Sequence, residues 1–490
     1  MVLNSSQYAV SELRTDLLVL MLDENVELFS IDDEQLRNEI VTLQQEYAAK
    51  KRKARYLFTP RSLENIGAVV VFPTNAYPGM NLWESAKMIA GEALKLAADS
   101  LRLDVTILLN TPQGADLVAQ VTEGALLSTW DCFKYSKKND AYSDVVLNLN
   151  VEDVASAQAT IQRTEIICQA VNECRLLTLE PGDVINPEVL ADYSQKLAEE
   201  CGLECTVLNE EELRVQGYLG HIKVGSGSVY QPRMITLTYT PSQPSDVHLV
   251  LIGKGLCFDS GGISLKPSKD MYEMKNDKAG AAAVIAAMRA LSVLKPAIKV
   301  TAIAVCAENM PGADITRPGD IIRFKNDITV HIENTDAEGR LCLADGLIRA
   351  GEMGATHIVD IATLTGSCLY ALGESFTGLL GTNKRLIDAV TKAGGATGES
   401  YWKMPMPLEY REMLNCDFAD LTNSSGPLAA TTTAGLFLKE FVPAHTPWVH
   451  LDIAGTAWHA KSWHGLVPGA SGVGVRTLVA LACHWDEYMR

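Results

Sequence analysis

The chain has 490 residues, of which 47% are hydrophobic and 21% charged, and its net charge is −18. This is globular composition, which excludes disorder and collagen-like repeats, and its acidity disfavours general binding to nucleic acid or anionic membrane. At roughly 150 residues per domain the length suggests about three domains, but two, one of them large, suit an α/β enzyme better.

The amino terminus lacks a basic stretch followed by an apolar one, so no signal peptide is expected. No apolar run reaches the roughly 18 residues that a transmembrane helix needs. The 11 cysteines are irregularly spaced, and Cys201 and Cys205 have no second pair at a zinc-finger distance. Reduced, largely buried thiols and a cytoplasmic location follow.

Residues 16–22 read as a buried strand, and 33–49 carry helical spacing. The basic run from Lys50 to Arg55 reads as a solvated helix end, suited to the negative end of the dipole. Strands are expected at 66–72 and 104–109, and a helix rich in Ala, Leu and Lys at 82–99. Alternating strands and helices predict a small α/β domain over residues 1–152. A connecting helix spans 153–180, ended by Pro181-Gly182 and Pro187.

From 181 to 490 the pattern changes. Residues 247–253, 299–306, 356–362 and 449–454 are near-continuous apolar runs, as in strands covered on both faces. Helices are expected at 278–292, which is rich in Ala, and at 341–353. The fold class is therefore α/β: a small N-terminal α/β domain, then a larger C-terminal α/β domain with a mostly parallel central sheet covered by helices. Ligands in such sheets sit beyond the carboxyl ends of the strands.

Charged residues gather at such ends. Lys254 and Asp259 lie in a Gly-rich stretch, Gly253–Gly262, followed by Lys266. A Lys at the end of a buried strand needs a charge partner or loses its proton, and a metal can take it as the neutral amine. Asp277 stands where the Ala-rich helix begins, the usual place of an N-cap. Asp336, Glu338 and Arg340 follow a strand at 327–333; if the stretch Asn334–Leu341 is extended, all three share one side. Asp360–Gly366 ends a strand in a small polar turn suited to backbone contacts with a substrate.

Four carboxylates, Asp259, Asp277, Asp336 and Glu338, fit hard or borderline divalent ions: Zn²⁺, Mn²⁺ or Mg²⁺. Serving two ions, they suggest a bridged pair that lowers the pKa of a bound water. Lys266 and Arg340 remain to stabilise developing negative charge. The residues thus point to metal-assisted hydrolysis of an acyl or phosphoryl bond, without choosing between them. The histidines add little: His459 and His464 read as a surface or interface loop, and His331 and His357 as strand residues of the core. Gly225–Ser228 reads as a turn.

Gly253–Gly262 and the segment Asn334–Leu341, NTDAEGRL, resemble the signature segments of the leucyl aminopeptidase family, the cytosolic di-metal M17 peptidases. The likeness runs from about residue 180 to the carboxyl terminus in order and spacing; residues 1–150 resemble the family only in type and size. It implies a homo-hexamer, a dimer of trimers, acting on peptides with a free N-terminus and preferring Leu and other apolar first residues. It implies two divalent ions per subunit. Lys254, Asp259, Asp277 and Glu338 correspond to ligands of the tighter ion, and Asp259, Asp336 and Glu338 to those of the more exchangeable one. Lys266 corresponds to the residue that polarises the scissile carbonyl. Arg340 corresponds to the holder of a bicarbonate general base. Met274, Asn334, Thr363, Leu364, Gly366 and Ala457 fall at substrate-binding positions.

Two departures stand out. Lys278 follows Asp277 where the family usually has Met, and it is expected to point outward. Ala457 stands where relatives often carry Met, so the first pocket is expected to be wide enough for Phe, Tyr or Met. The competing readings are a catalytically weak hexameric scaffold or DNA-binding member of the family, and a phosphoesterase using the same metals. Residues 50–55 alone support DNA binding, and the net charge opposes it.

Overall fold

The computed structural model describes residues 1–22, 31–49, 54–73, 77, 80–109, 114–130, 134–135, 144–462 and 466–490. Contacts divide the chain into two compact units, residues 1–168 with 461–467, and residues 169–460 with 468–490.

The first unit holds six strands: β1 (Val2–Ser6), β2 (Thr15–Leu22), β3 (Tyr56–Phe58), β4 (Ile66–Pro73), β5 (Asp104–Leu108) and β6 (Val146–Asn150). Their order is β1-β6-β5-β2-β4-β3, parallel except where β3 meets β4. Helices α1 (Glu34–Ala48), α2 (Leu82–Asp99) and α3 (Gly114–Ser128) cover it. Strand β2 shows why the apolar run has no gaps. Leu17, Val19 and Met21 pack with Ile89 of α2 and Val121 of α3. Leu18, Leu20 and Leu22 point the other way, to Leu36 and Ile40 of α1. Period-two alternation with helices on both faces buries every residue from Leu17 to Leu22. Of the basic run, residues 50–53 lie outside the described residues; Arg55 pairs with Glu92 at 2.8 Å.

Helix α4 (Val154–Leu179) leads into the second unit. There follow α5 (Pro187–Cys201), β7 (Glu204–Leu208), α6 (Glu210–Gln216), α7 (Leu219–Gly225), β8 (Arg233–Tyr239), β9 (His248–Asp259), α8 (Ala279–Leu294) and β10 (Lys299–Asn309). Next come β11 (Ile321–Arg323), β12 (Thr329–His331), α9 (Gly339–Glu352), β13 (His357–Ala362), α10 (Gly366–Leu372), β14 (Thr377–Gly381), α11 (Lys384–Thr397) and β15 (Tyr401–Lys403). The remainder includes β16 (Leu421–Thr422), α12 (Ala430–Lys439), β17 (Trp448–Asp452) and α13 (Val475–Cys483).

The main sheet has the order β15-β14-β17-β13-β9-β10-β8-β7. Its four central strands, β17, β13, β9 and β10, run parallel. Antiparallel pairs appear outside them, β8 on β10, β7 on β8 and β14 on β17. The core joins Val250 and Ile252 of β9 and Ile303 of β10 to Leu343 and Leu347 of α9. Helix α8 begins hard against the sheet: a Cβ on Gly280 would collide with the carbonyl oxygen of Ile361. Only glycine permits that approach, and it brings the segment before α8 to the ends of β9 and β13. Among the described residues no helix is long and apolar enough to cross a membrane.

Candidate active site

The site residues come from separate elements of the second unit. Strand β9 is longer than its apolar run and carries Lys254 within it and Asp259 as its last residue. The 3-10 helix Met271–Lys278 carries Asp277. This corrects the N-cap expectation: Lys278 holds the cap position of α8, and it makes no side-chain capping bond. Asp277 turns instead toward the sheet, where its Oδ1 accepts from Thr363 Oγ1 at 2.6 Å and pairs with Lys254 at 2.8 Å.

Asn334–Leu341 is not extended. Thr335 and Asp336 form a turn, and α9 starts at Gly339 with Glu338 already in helical conformation (φ −77°, ψ −37°). Asn334 Oδ1 accepts the Asp336 amide at 2.9 Å, a side-chain-to-backbone turn that outcompetes the extended form. The turn still brings the carboxylates together. Oxygen atoms of Asp259, Asp336 and Glu338 lie within 4.8 Å of one another.

Two ammonium groups sit between pairs of carboxylates. Lys254 Nζ is 2.8 Å from both Asp277 Oδ1 and Glu338 Oε1. Gly339 leaves room for it, since a Cβ there would lie 2.7 Å from Nζ. Lys266 Nζ is 2.7 Å from Asp259 Oδ2 and 2.6 Å from Asp336 Oδ1. Burial opposes the Lys254 charge, but Asp277, Glu338 and Asp259 outweigh it and raise its pKa. Burial pushes Asp277 up to about 8 despite Lys254. Burial, with the charges of Asp259 and Glu338, pushes Asp336 up to about 6.

Arg340 is buried, with 7% of its surface exposed. Its Nη1 donates to Asn423 O at 2.8 Å, while Nε is buried without a partner. Burial lowers its pKa to about 10. It lines a cavity of about 390 Å³ with Asn334, Asp336, Leu364, Gly366 and Ser424. The Leu364 and Thr365 amides and the Thr365 hydroxyl donate to Asp452, which fixes this loop. Met274 is half-buried in the 3-10 helix, and Ala457 is buried after β17. Lys275 Nζ lies 5.7 Å from the Trp458 ring, so the segments carrying Met274 and Ala457 adjoin.

Four positions differ from expectation. Lys278 is fully buried (0% exposed), and its Nζ donates to Glu180 O and Lys275 O, each at 2.8 Å. Those carbonyls replace the solvent it was expected to reach. His459 is buried rather than on a surface loop, with Nδ1 3.4 Å from Glu374 Oε2, and His464 lies outside the described residues. His331 and His357 are only half-buried, each against an aromatic ring, Phe418 and Trp485.

Sequence reasoning missed Asn309 and Asn423. Asn309 Nδ2 donates to Asp259 Oδ1 at 2.8 Å, from a register shift in β10 between Ala307 and Asn309. Asn423 Nδ2 donates to Asn334 O at 2.7 Å, and its Oδ1 accepts the Glu333 amide at 2.9 Å. Neither belongs to a charged cluster, so only the pairing of distant segments reveals them.

The donor set fits divalent cations. Asp259, Asp336 and Glu338 converge, Asp277 joins them through Lys254, and two buried oxygens of this set, Asp277 Oδ2 and Glu338 Oε2, have no hydrogen-bond partner. A buried carboxylate oxygen left bare costs free energy that a cation recovers. Such a set, at the carboxyl ends of parallel strands, defines the class: a metal-dependent hydrolase on an α/β scaffold.

Residues 172–479 match the model of the cytosol aminopeptidase family, catalytic domain. A probable cytosol aminopeptidase of Solibacter usitatus (strain Ellin6076) is 41% identical over 401 residues, 81% of this chain and 83% of that one. One from Persephonella marina (strain DSM 14350 / EX-H1) is 42% identical over 388 residues, 78% of each chain. Among solved structures, the bottromycin maturation enzyme BotP in complex with Mn is 29% identical, with a TM-score of 0.81, covering 96% of this chain and 100% of its own. The chain belongs to the cytosol aminopeptidase family, and it is a metal-dependent aminopeptidase of the leucyl aminopeptidase type.

Proposed function

We propose that this chain releases N-terminal amino acids, preferring Leu and other apolar residues, from peptides with a free amino terminus, at two divalent cations per subunit. The observation that carries the reading is the pair of bare buried oxygens, Asp277 Oδ2 and Glu338 Oε2, within the carboxylate set. Lys254, Asp259, Asp277 and Glu338 hold the tighter ion, and Asp259, Asp336 and Glu338 the more exchangeable one. Zn²⁺ and Mn²⁺ suit these donors best, and Mg²⁺ also fits an oxygen-rich site. Two such ions, when bound, would supply a water of lowered pKa and Lewis-acid stabilisation of negative charge at the scissile carbonyl.

The chain's own groups do the rest. Lys266 stabilises negative charge developing on the scissile carbonyl oxygen. Arg340, with the backbone around Leu364, holds a bicarbonate for the general-base role. Asn334, Thr363 and Gly366 contact the substrate backbone. Met274 and Ala457 border the pocket for the first side chain, and the small Ala457 leaves room for Phe, Tyr or Met. Residues 181–490 form the catalytic domain, joined by the helix 153–180 to an N-terminal domain of residues 1–152. The molecule works in the cytoplasm as a hexamer, a dimer of trimers.

Metal analysis of protein purified after reconstitution tests the ligand assignment. Wild type is expected to hold two ions per chain and Asp259→Ala none, because a bridging carboxylate serves both. Full metal content in Asp259→Ala would remove it from the site.

A further inference from the structure

Lys278 adjoins Asp277 and takes no part in the chemistry above, yet it is completely buried. Its ammonium reaches two main-chain oxygens at 2.8 Å. One belongs to Glu180, just beyond α4; the other belongs to Lys275, inside the 3-10 helix Met271–Lys278. Burying an ammonium is costly, and the charges of Glu180 and Glu308 nearby offset that only in part, so the contact needs a reason.

The 3-10 helix supplies one. Such helices have poor hydrogen-bond geometry and are used in short pieces. This one starts from Asp270 in the left-handed region (φ 60°), and it carries both Asp277 and Met274. Of the Asp277 carboxylate, Thr363 and Lys254 hold only Oδ1, and Oδ2 has no partner. The direction of Oδ2 therefore depends on where the main chain of this helix lies. Lys278 ties that main chain to Glu180 on one side, while Thr363, just after β13, holds it more loosely at Asp277 O, 3.4 Å away.

We propose that Lys278 is a positioning residue, a strut between Glu180 and Lys275 that aims Asp277 Oδ2 and thereby sets metal affinity. The proposal rests on Asp277 being a metal ligand. It opposes the simpler view that a cation beside a ligand weakens metal binding by repulsion, and the two differ in sign.

Lys278→Met keeps the length and the apolar stem but removes the donors. Lys278→Gln keeps a neutral donor. Zn²⁺ and Mn²⁺ affinities of both variants and wild type are to be measured by competition with a chromogenic chelator, beside the melting temperature of each metal-free protein. Lys278→Met is expected to bind metal about 10- to 100-fold more weakly, the range for loss of a group that orients a ligand, and Lys278→Gln to recover part of the loss. Unchanged affinity, even with a lower melting temperature, would reduce Lys278 to a structural role and overturn the proposal. Tighter binding would overturn it in favour of repulsion. If Lys278→Met does not fold, the affinity of Lys278→Gln decides alone: lower supports the strut, and unchanged or higher overturns it. Asp277→Asn is measured in parallel. Undiminished metal binding in that variant would defeat the ligand reading itself, separately from the strut.

Discussion

At the residue scale, ligands and charge stabilisers separate by what their loss removes. Lys266 touches Asp259 and Asp336 from the solvent side, and Arg340 lines the adjoining cavity. Lys266→Ala and Arg340→Ala are therefore expected to keep both metals and lose about 100- to 1,000-fold in kcat, the usual loss of a preorganised donor. A wild-type rate in Lys266→Ala would contradict its role. Protonation gives a second expectation. Without metal, Asp277 has its pKa raised to about 8 and Asp336 to about 6. A raised carboxyl pKa makes the folded metal-free chain favour the protonated form, so this contribution to stability is complete below the ordinary carboxyl range and is lost as pH rises through those values. Metal binding requires the ionised form and expels the protons. The rise in melting temperature on adding saturating Zn²⁺ should thus grow as pH increases through about 6 and then about 8. A pH-independent rise would contradict it. The charged residues that the structure brings together were readable as candidates because they cluster in sequence. Lys278 was misjudged because its partners are backbone carbonyls, which leave no mark in the sequence.

At the element scale, the expected strands and helices of the second unit formed because apolar runs and Ala-rich segments state their own burial. What sequence patterning could not give was where β9 ends. Its apolar run stops at Gly253, but backbone pairing to β10 continues to Asp259. Gly253 and Gly255 interrupt the apolar signal there because Gly280 and Ala281 of α8 come too close for larger residues, and Lys254 fits only because Gly339 of α9 leaves it room. The turn at Thr335–Asp336 was hidden for a related reason, since Asx-turn bonding competes locally with extension. Gly280→Ala tests the close approach directly. The added methyl meets the Ile361 carbonyl oxygen, and overpacking of this kind costs about 1–3 kcal/mol. Chemical denaturation is expected to show that loss, with the slope of the transition unchanged; wild-type stability would show that the helix can move away freely.

At the scale of the whole molecule, the α/β architecture follows from patterning alone, whereas assembly does not, because a subunit interface resembles any half-apolar surface. Sedimentation velocity is expected to show a hexamer; a stable monomer with full activity would contradict the assembly proposed. Substrate choice belongs to this scale too, since the pocket proposed for the first residue would be bordered by the 3-10 helix and the segment after β17. A pocket contact is worth about 1–3 kcal/mol. With the small Ala457 there, kcat/KM for Phe should fall within about tenfold of that for Leu. A larger preference for Leu would mean that another group fills the space.

The most direct measurement is the rate of hydrolysis by chelator-stripped protein, with Zn²⁺, Mn²⁺, Mg²⁺ or no metal restored. The substrates are the p-nitroanilides of Leu, Phe, Met and Arg, beside N-acetyl-Leu p-nitroanilide. Metal-restored release from the free-amine substrates, fastest for the apolar ones, and none from the acetylated control is the expected result. Turnover without metal, equal turnover of the acetylated substrate, or no turnover with any of the three ions would contradict a metal-dependent aminopeptidase at this site.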